Sequence, residues 1–122
     1  MGYLNPHTHN LDNPTPHIVV ICGSTRFRAE MAQANRDLTL AGHIVLAPGV
    51  FAHDGDEITD AQKQALDRLH FHKIDIAGSV AVVSDTTGYY GESTAREIAY
   101  AESLDKPIRY LNVDLEKDHA RA

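Results

Sequence analysis

The sequence predicts an α/β fold, a parallel sheet with helices on both faces, and three observations carry that prediction. Short runs of β-branched residues recur without polar alternation, "HIVVI", "HIVLAP" and "SVAVVS" among them, as strands buried on both faces require. Between them lie stretches whose apolar residues recur at helical spacing. Glycine or proline punctuates the ends, so strand and helix alternate along the whole chain, the pattern of a parallel sheet.

Taken in order, residues 1–16 hold three prolines, three asparagines and two histidines without periodicity, and are expected to form a flexible arm. Residues 17–21 are the first strand. From Phe27 the apolar positions Phe27, Met31, Ala34, Leu38 and Ala41 define one helical face, ended by Gly42. The second strand, 43–48, closes at Pro48 and Gly49, and "GVFAHDGDE" is a loop. A second helix is expected from Ile58 to about Ala77, with Ala61, Ala65, Leu66, Leu69, His70 or Phe71, and Ile74 near one side and Gly78 as its stop. "SVAVVS", 79–84, is the third strand, and "DTTGYYGE" a loop. Ser93 is the expected N-cap of the helix "TAREIAYAESL". "KPIRYLN" supplies a fourth strand, and 114–122 is a polar tail, leaving 17–113 as one domain. Right-handed crossovers leave few topologies, of which a flavodoxin-like (Rossmannoid) sheet of four to five strands in the order 2-1-3-4 fits best.

With 122 residues, 43% hydrophobic and 23% charged, the chain suits one core. Its single cysteine rules out an internal disulfide and a structural zinc site built on thiolates. No apolar run approaches the roughly 20 residues of a membrane helix. "MGYLNPHTHNLDNPTPH" lacks the basic start and apolar core of a signal peptide, so a cytoplasmic location is expected. A net charge of −6, from 17 acidic against 11 basic residues, argues against duplex nucleic acid but not against a single nucleotide.

In an open parallel sheet the ligand crevice lies beyond the carboxyl ends of the strands where strand order reverses, here between strands 1 and 3. The loops meeting there are "CGSTRFR" and "DTTGYYGESTARE". In the first, Gly23 permits close backbone approach, Ser24 and Thr25 offer hydroxyls, helix amides favour an anion, and Arg26 can grip phosphate. The same residues also suit a plain β–α turn capped by Ser24 or Thr25. Neither GxxxxGK[ST] nor GxGxxG is present. Cys22 and Arg28 match the Cys-x5-Arg spacing of a thiolate phosphatase, but Ala29 stands where such loops carry a hydroxyl, and Cys22 ends a buried strand. In the second loop Asp85 is a candidate substrate contact. Glu97 falls in the first turn of the helix beside core-facing Ile98 and Ala101, where the helix dipole would hold it ionised, as a carboxylate nucleophile must be. A surface glutamate is the plain alternative, and Arg96 and Glu92 are read that way.

"VVICGSTR" and "GYYGESTAREIAYA" together resemble the nucleoside 2-deoxyribosyltransferase superfamily, which includes deoxynucleoside 5′-monophosphate N-glycosidases. The resemblance spans residues 18–112 and is specific only at those two motifs. It implies Glu97 as the nucleophile at the anomeric carbon, Gly23, Ser24, Thr25 and Arg26 along sugar and phosphate, and Gly91 and Ser93 at the 5′ group. It also implies a homodimer in which Asn112 reaches a neighbouring subunit's site. Val20 stands where the family often has a tyrosine. The family's base-steering aspartate on the second helix falls in register near His70 and Phe71, with Asp67 and Asp75 a turn away on either side; Asp75 is taken first as the acid–base group and His70 second.

His70 and His72 project about 200° apart on a helix and cannot share a metal. His7 and His9 lie in the arm, and the loop bearing His53, Asp54 and Asp56 is read as solvated, so no metal and no cofactor is expected. The functions in view are cleavage or exchange of a nucleotide or nucleoside N-glycosidic bond, a non-catalytic nucleotide-binding module, and, third, the phosphatase.

Overall fold

The computed structural model describes residues 15–117, so the expected arm lies outside the described residues except for its last two positions. Four strands form one parallel sheet in the order β2-β1-β3-β4: β1 (Ile18–Cys22), β2 (Ile44–Leu46), β3 (Ser79–Ser84) and β4 (Ile108–Asn112). Helices α1 (Arg28–Leu40), α2 (Asp60–Ile76) and α3 (Glu92–Ser103) connect them, and the fold is the expected flavodoxin-like α/β class. The sheet stays in register through Val20 opposite Val80 and Val80 opposite Ile108.

Alternation along the two central strands builds two cores. Val19, Ile21, Ala81 and Val83 point to one face, where Met31, Ala34 and Leu38 of α1 cover them. Val20, Cys22, Val80 and Val82 point to the other, against Ile74 of α2, Ala77 just beyond it, and Ile98 and Ala101 of α3. Each buried valine, isoleucine, leucine or methionine among them contributes about 1.5–3 kcal/mol relative to exposure. With α1 on one face and α2 and α3 on the other, the chain winds outward from β1 in both directions, which creates the reversal between β1 and β3.

The element ends differ from the expected ones for local reasons. Helix α1 begins at Arg28, and its N-cap Phe27 makes no side-chain hydrogen bond, so neither Ser24 nor Thr25 serves as cap. Thr59 and Gln62 form a reciprocal capping box that starts α2 at Asp60 rather than Ile58. The buried face of α2 is rotated from the expected stripe: Leu69 is 51% exposed, while His70 and Ile74 are buried. Helix α3 starts at Glu92, because extended Gly91 is its N-cap; Ser93 already lies inside the helix. In the tail, Leu115–Lys117 form a helical turn in which the Lys117 amide donates to Asp114 Oδ1.

Gly23 joins β1 to the turn before α1. A Cβ there would collide with the Val83 carbonyl of β3 and meet Met31 Cε at 3.0 Å. Backbone cannot yield as a side-chain tip can, so Gly23→Ala should cost about 1–3 kcal/mol of stability in urea denaturation. Gly49→Ala, with nothing within 4 Å of its added Cβ, should stay within about 0.5 kcal/mol of wild type. Equal stabilities for the two variants would show that the turn is not clamped against β3.

Candidate functional site

A cavity of about 340 Å³ opens at the carboxyl ends of β1 and β3. The turn after β1 supplies Gly23, Ser24, Thr25 and Arg26; the start of α3 supplies Gly91, Ser93, Thr94 and Glu97; one face of α2 supplies Lys63, Leu66, Asp67, His70 and Lys73. The segment after β2 closes the remaining side with Pro48, Val50, His53 and Ile58. That size, with an apolar wall and a few convergent polar groups, is typical of a small-molecule site.

Eight of the expected site residues therefore share the cavity: Gly23, Ser24, Thr25, Arg26, His70, Gly91, Ser93 and Glu97. Three do not line it. Asp75 lies 140° around α2 from His70 at about 100° per residue, and accepts a hydrogen bond from the Tyr100 hydroxyl instead. The acidic side chain that faces the cavity from α2 is Asp67, held by Lys63 Nζ at 3.0 and 3.1 Å. Asp85 folds into its own turn, accepting from the Thr87 amide at 3.0 Å and from the Thr87 hydroxyl. Asn112 accepts from Ser84 Oγ at 3.2 Å and lines a separate groove with Arg109 and Leu111.

Glu97 is the sixth residue of α3, in its second turn, because the helix begins two residues earlier than expected. The dipole's influence fades within the first turn, and burial governs instead. The side chain is only 12% exposed. Burial pushes its carboxyl up to about 7; the Cys22 thiol opposes this by hydrogen bonding, Asp67 adds to it, and Lys63 and Arg96 pull back. The expectation of a carboxylate held ionised by the helix end is corrected accordingly: near neutrality Glu97 sits at the midpoint of its titration.

His70 is displaced the other way. Burial, then the charge of Lys73, pushes its imidazole down to about 4, while the backbone of Ile21 and Asp67 oppose. Its Nε2 lies 3.9 Å from Glu97 Oε1 and 3.4 Å from Cys22 Sγ. At neutral pH the ring is uncharged, so this contact is not an ion pair, and His70 holds no surplus proton for a leaving base. That shift disfavours the acid role expected of His70.

Cys22 is fully buried, and burial followed by the Glu97 charge pushes its thiol well above the ordinary range. Arg28 reaches outward to Asp56 at 2.8 Å and Asp54 at 3.7 Å, its guanidinium 4.6 Å over the Phe51 ring. With a protonated thiol and an arginine turned away, no phosphatase loop is formed. The acidic loop is engaged in holding Arg28, and His53 Nδ1 lies 2.8 Å from Thr25 Oγ1. Arg26 stacks 4.5 Å over the Tyr89 ring, which fixes its guanidinium at the cavity rim. Lys63, Asp67 and Lys73 were not singled out as a set by sequence reasoning; the available signal was their spacing, which together with His70 puts four polar side chains on one face of α2.

Among solved structures, the chain is similar to a 2-desoxiribosyltransferase from Leishmania mexicana, with a TM-score of 0.52 and 17% identity. The similarity covers 81% of this chain and 66% of that one, so the chain spans about two thirds of the neighbour's length. At that identity the likeness shows the fold. No protein-family model matches the sequence, and no curated protein matches it. No helix among the described residues is long and apolar enough to cross a membrane.

Because the folded protein raises the carboxyl of Glu97 from 4.5 to about 7, the unfolded chain binds fewer protons between those values, and this group's contribution to stability falls as pH rises across that window. Glu97→Gln removes the effect. Its stability relative to wild type should be more favourable at pH 8 than at pH 5 by about 2 kcal/mol. A pH-independent difference in denaturation midpoint would contradict a buried, proton-holding Glu97.

Proposed function

We propose that the protein breaks or exchanges the N-glycosidic bond of a nucleotide or nucleoside, with Glu97 as the nucleophile. The observation that carries the reading is the Glu97 carboxyl at the inner wall of a nucleotide-sized cavity, across from the turn that bears Ser24, Thr25 and Arg26. The solved neighbour's name, a 2-desoxiribosyltransferase, accords with it.

In the first step a Glu97 oxygen attacks the anomeric carbon as the bond to the base nitrogen breaks. The electron pair leaves with the base, which takes a proton from water in the open cavity, and the sugar remains as an ester on Glu97. Water, or a second base, then attacks the same carbon and gives up its proton to solvent, and the carboxylate is released. Two displacements retain configuration. Asp67, steadied by Lys63, is suited to contact the base, and Ser24, Arg26 and Ser93 the 5′ end of the sugar. A buried carboxyl near its midpoint suits this role, since the ionised form is available at neutral pH yet weakly solvated and reactive.

Incubation with the common nucleosides and their 5′-monophosphates, with detection of free base, tests the proposal. Glu97→Gln should abolish release while retaining nucleotide binding by calorimetry. An undiminished variant would sink the nucleophile assignment, and binding without turnover for every compound would leave a non-catalytic nucleotide-binding module. The wild-type rate should rise as pH increases through about 7 with a one-proton dependence, following ionisation of Glu97.

The Arg26 guanidinium further suggests a 5′-phosphate as the preferred group. Arg26→Ala should weaken binding of a nucleoside monophosphate about 10-fold or more, the loss of one charge-assisted contact of about 1.5–3 kcal/mol, and leave the nucleoside nearly unaffected. Equal losses for both ligands would mean that Arg26 does not contact phosphate. A homodimer belongs to the same reading: Tyr90 and Tyr110, both exposed with ring centroids 6.5 Å apart, offer an aromatic surface near Asn112.

A further inference from the structure

Three side chains from three different elements converge behind the cavity: Cys22 from the end of β1, His70 from α2 and Glu97 from α3. Their sulfur, nitrogen and oxygen atoms all lie within 4.8 Å of one another. Cys22 Sγ to His70 Nε2 is 3.4 Å, and His70 Nε2 to Glu97 Oε1 is 3.9 Å. A tetrahedral cation with bonds of about 2.0–2.3 Å to such ligands separates neighbouring donor atoms by about 3.3–3.6 Å. The sulfur–nitrogen edge already falls in that range, and the nitrogen–oxygen edge is about half an ångström longer, a gap that a rotation of the Glu97 carboxyl would close.

We infer that Cys22, His70 and Glu97 form a site for one thiolate-binding divalent cation of the zinc class, with its fourth position open to the cavity. The donor set is what selects this class. One sulfur, one imidazole nitrogen and one carboxylate oxygen match a borderline-soft ion that accepts four ligands, whereas magnesium and calcium demand six or more oxygens. His70 and Glu97 line the cavity while Cys22 lies fully buried at its back, so the open position faces the entry path for ion and water. The burial that disfavours charge on each group in the free protein is offset once a dication lies among them.

Binding balances as an exchange: the sulfur–hydrogen bond of Cys22 breaks, a sulfur–metal bond forms, and the proton leaves through the cavity, with a second proton released from whatever fraction of Glu97 is protonated. No redox step is involved. Within the trio the Cys22 sulfur and His70 Nε2 already lie at hydrogen-bond distance, so the ion would replace that contact. Where the proposed glycosyl transfer holds, an ion here takes the Glu97 oxygen away from the anomeric carbon and acts as an inhibitor; the binding site itself stands on geometry alone.

Cobalt(II) is the probe, because the chain has one cysteine and a thiolate-to-cobalt absorption band can come only from Cys22. Titration of the full chain should give this band at one equivalent, with tetrahedral visible absorption, and zinc should displace it. His70→Gln and Glu97→Gln keep the sulfur, and each should weaken cobalt binding about tenfold or more, at least what loss of an outer partner costs in such sites. Cys22→Ser should lose the band altogether, with circular dichroism reporting its fold. Absence of the band in wild type at saturating cobalt, or unchanged affinity in both ligand variants, would overturn the site whatever the outcome of the base-release assay.

Discussion

Where β1 ends, the chain has to turn while touching the backbone of β3, and only a residue without a Cβ can make that contact. Gly23 meets the requirement against the Val83 carbonyl. Because the turn is drawn in, Ser24, Thr25 and Arg26 border the same cavity as the first turns of α3, and Cys22 ends up facing the layer that α2 and α3 build. A bulkier residue would push the two loops apart at the point where the direction of winding reverses. The cavity is thus a product of sheet topology, which locates the crevice, and of one close backbone approach, which keeps it narrow.

The chemistry available in the cavity follows from a contest between solvation and local charge. Glu97, His70 and Cys22 are all moved toward their neutral forms, and for each of them burial is the largest cause. Lys63 and Arg96 favour the Glu97 carboxylate but do not cancel the cost of removing it from water. Three ionisable groups on three separate elements would be an expensive way to fill a hydrophobic layer, since apolar side chains there would need no compensation. Perturbed groups concentrated beside a cleft are a physical signature of a functional site, and here the whole perturbed cluster lies at one cleft.

The sheet was legible in the sequence because its signals are local and redundant. The β-branched runs at β1 and β3 admit few other structures, and crossover handedness then limits strand order. Glu97 was legible too, because Ile98 and Ala101 establish which side of α3 is buried. Helix α2 was harder. Its exposed Ala61, Ala65 and Leu69 mimic a core stripe, while the side it turns inward carries Lys63, Asp67 and His70. An error of one residue in register rotates a helical side chain by about 100°, which suffices to confuse Asp67 with Asp75. Nor could spacing alone reveal that Cys22 and His70, 48 positions apart, approach within 3.4 Å.

The segment between β2 and α2 forms one flank of the cavity, and its attachment to the rest is of a different kind from the sheet's. Arg28 is shared by Asp54 and Asp56, with all three side chains between 39% and 49% exposed, and Thr25 meets His53 in an exposed contact. Clasps of this sort contribute only about 0–1 kcal/mol and are screened by salt. Phe51 of this segment packs against the layer that α1 covers, so the flank has one apolar anchor besides these exposed clasps. The exposed clasps are the portion of that attachment that dissolved ions weaken, so salt loosens this wall of the cavity while the sheet is untouched.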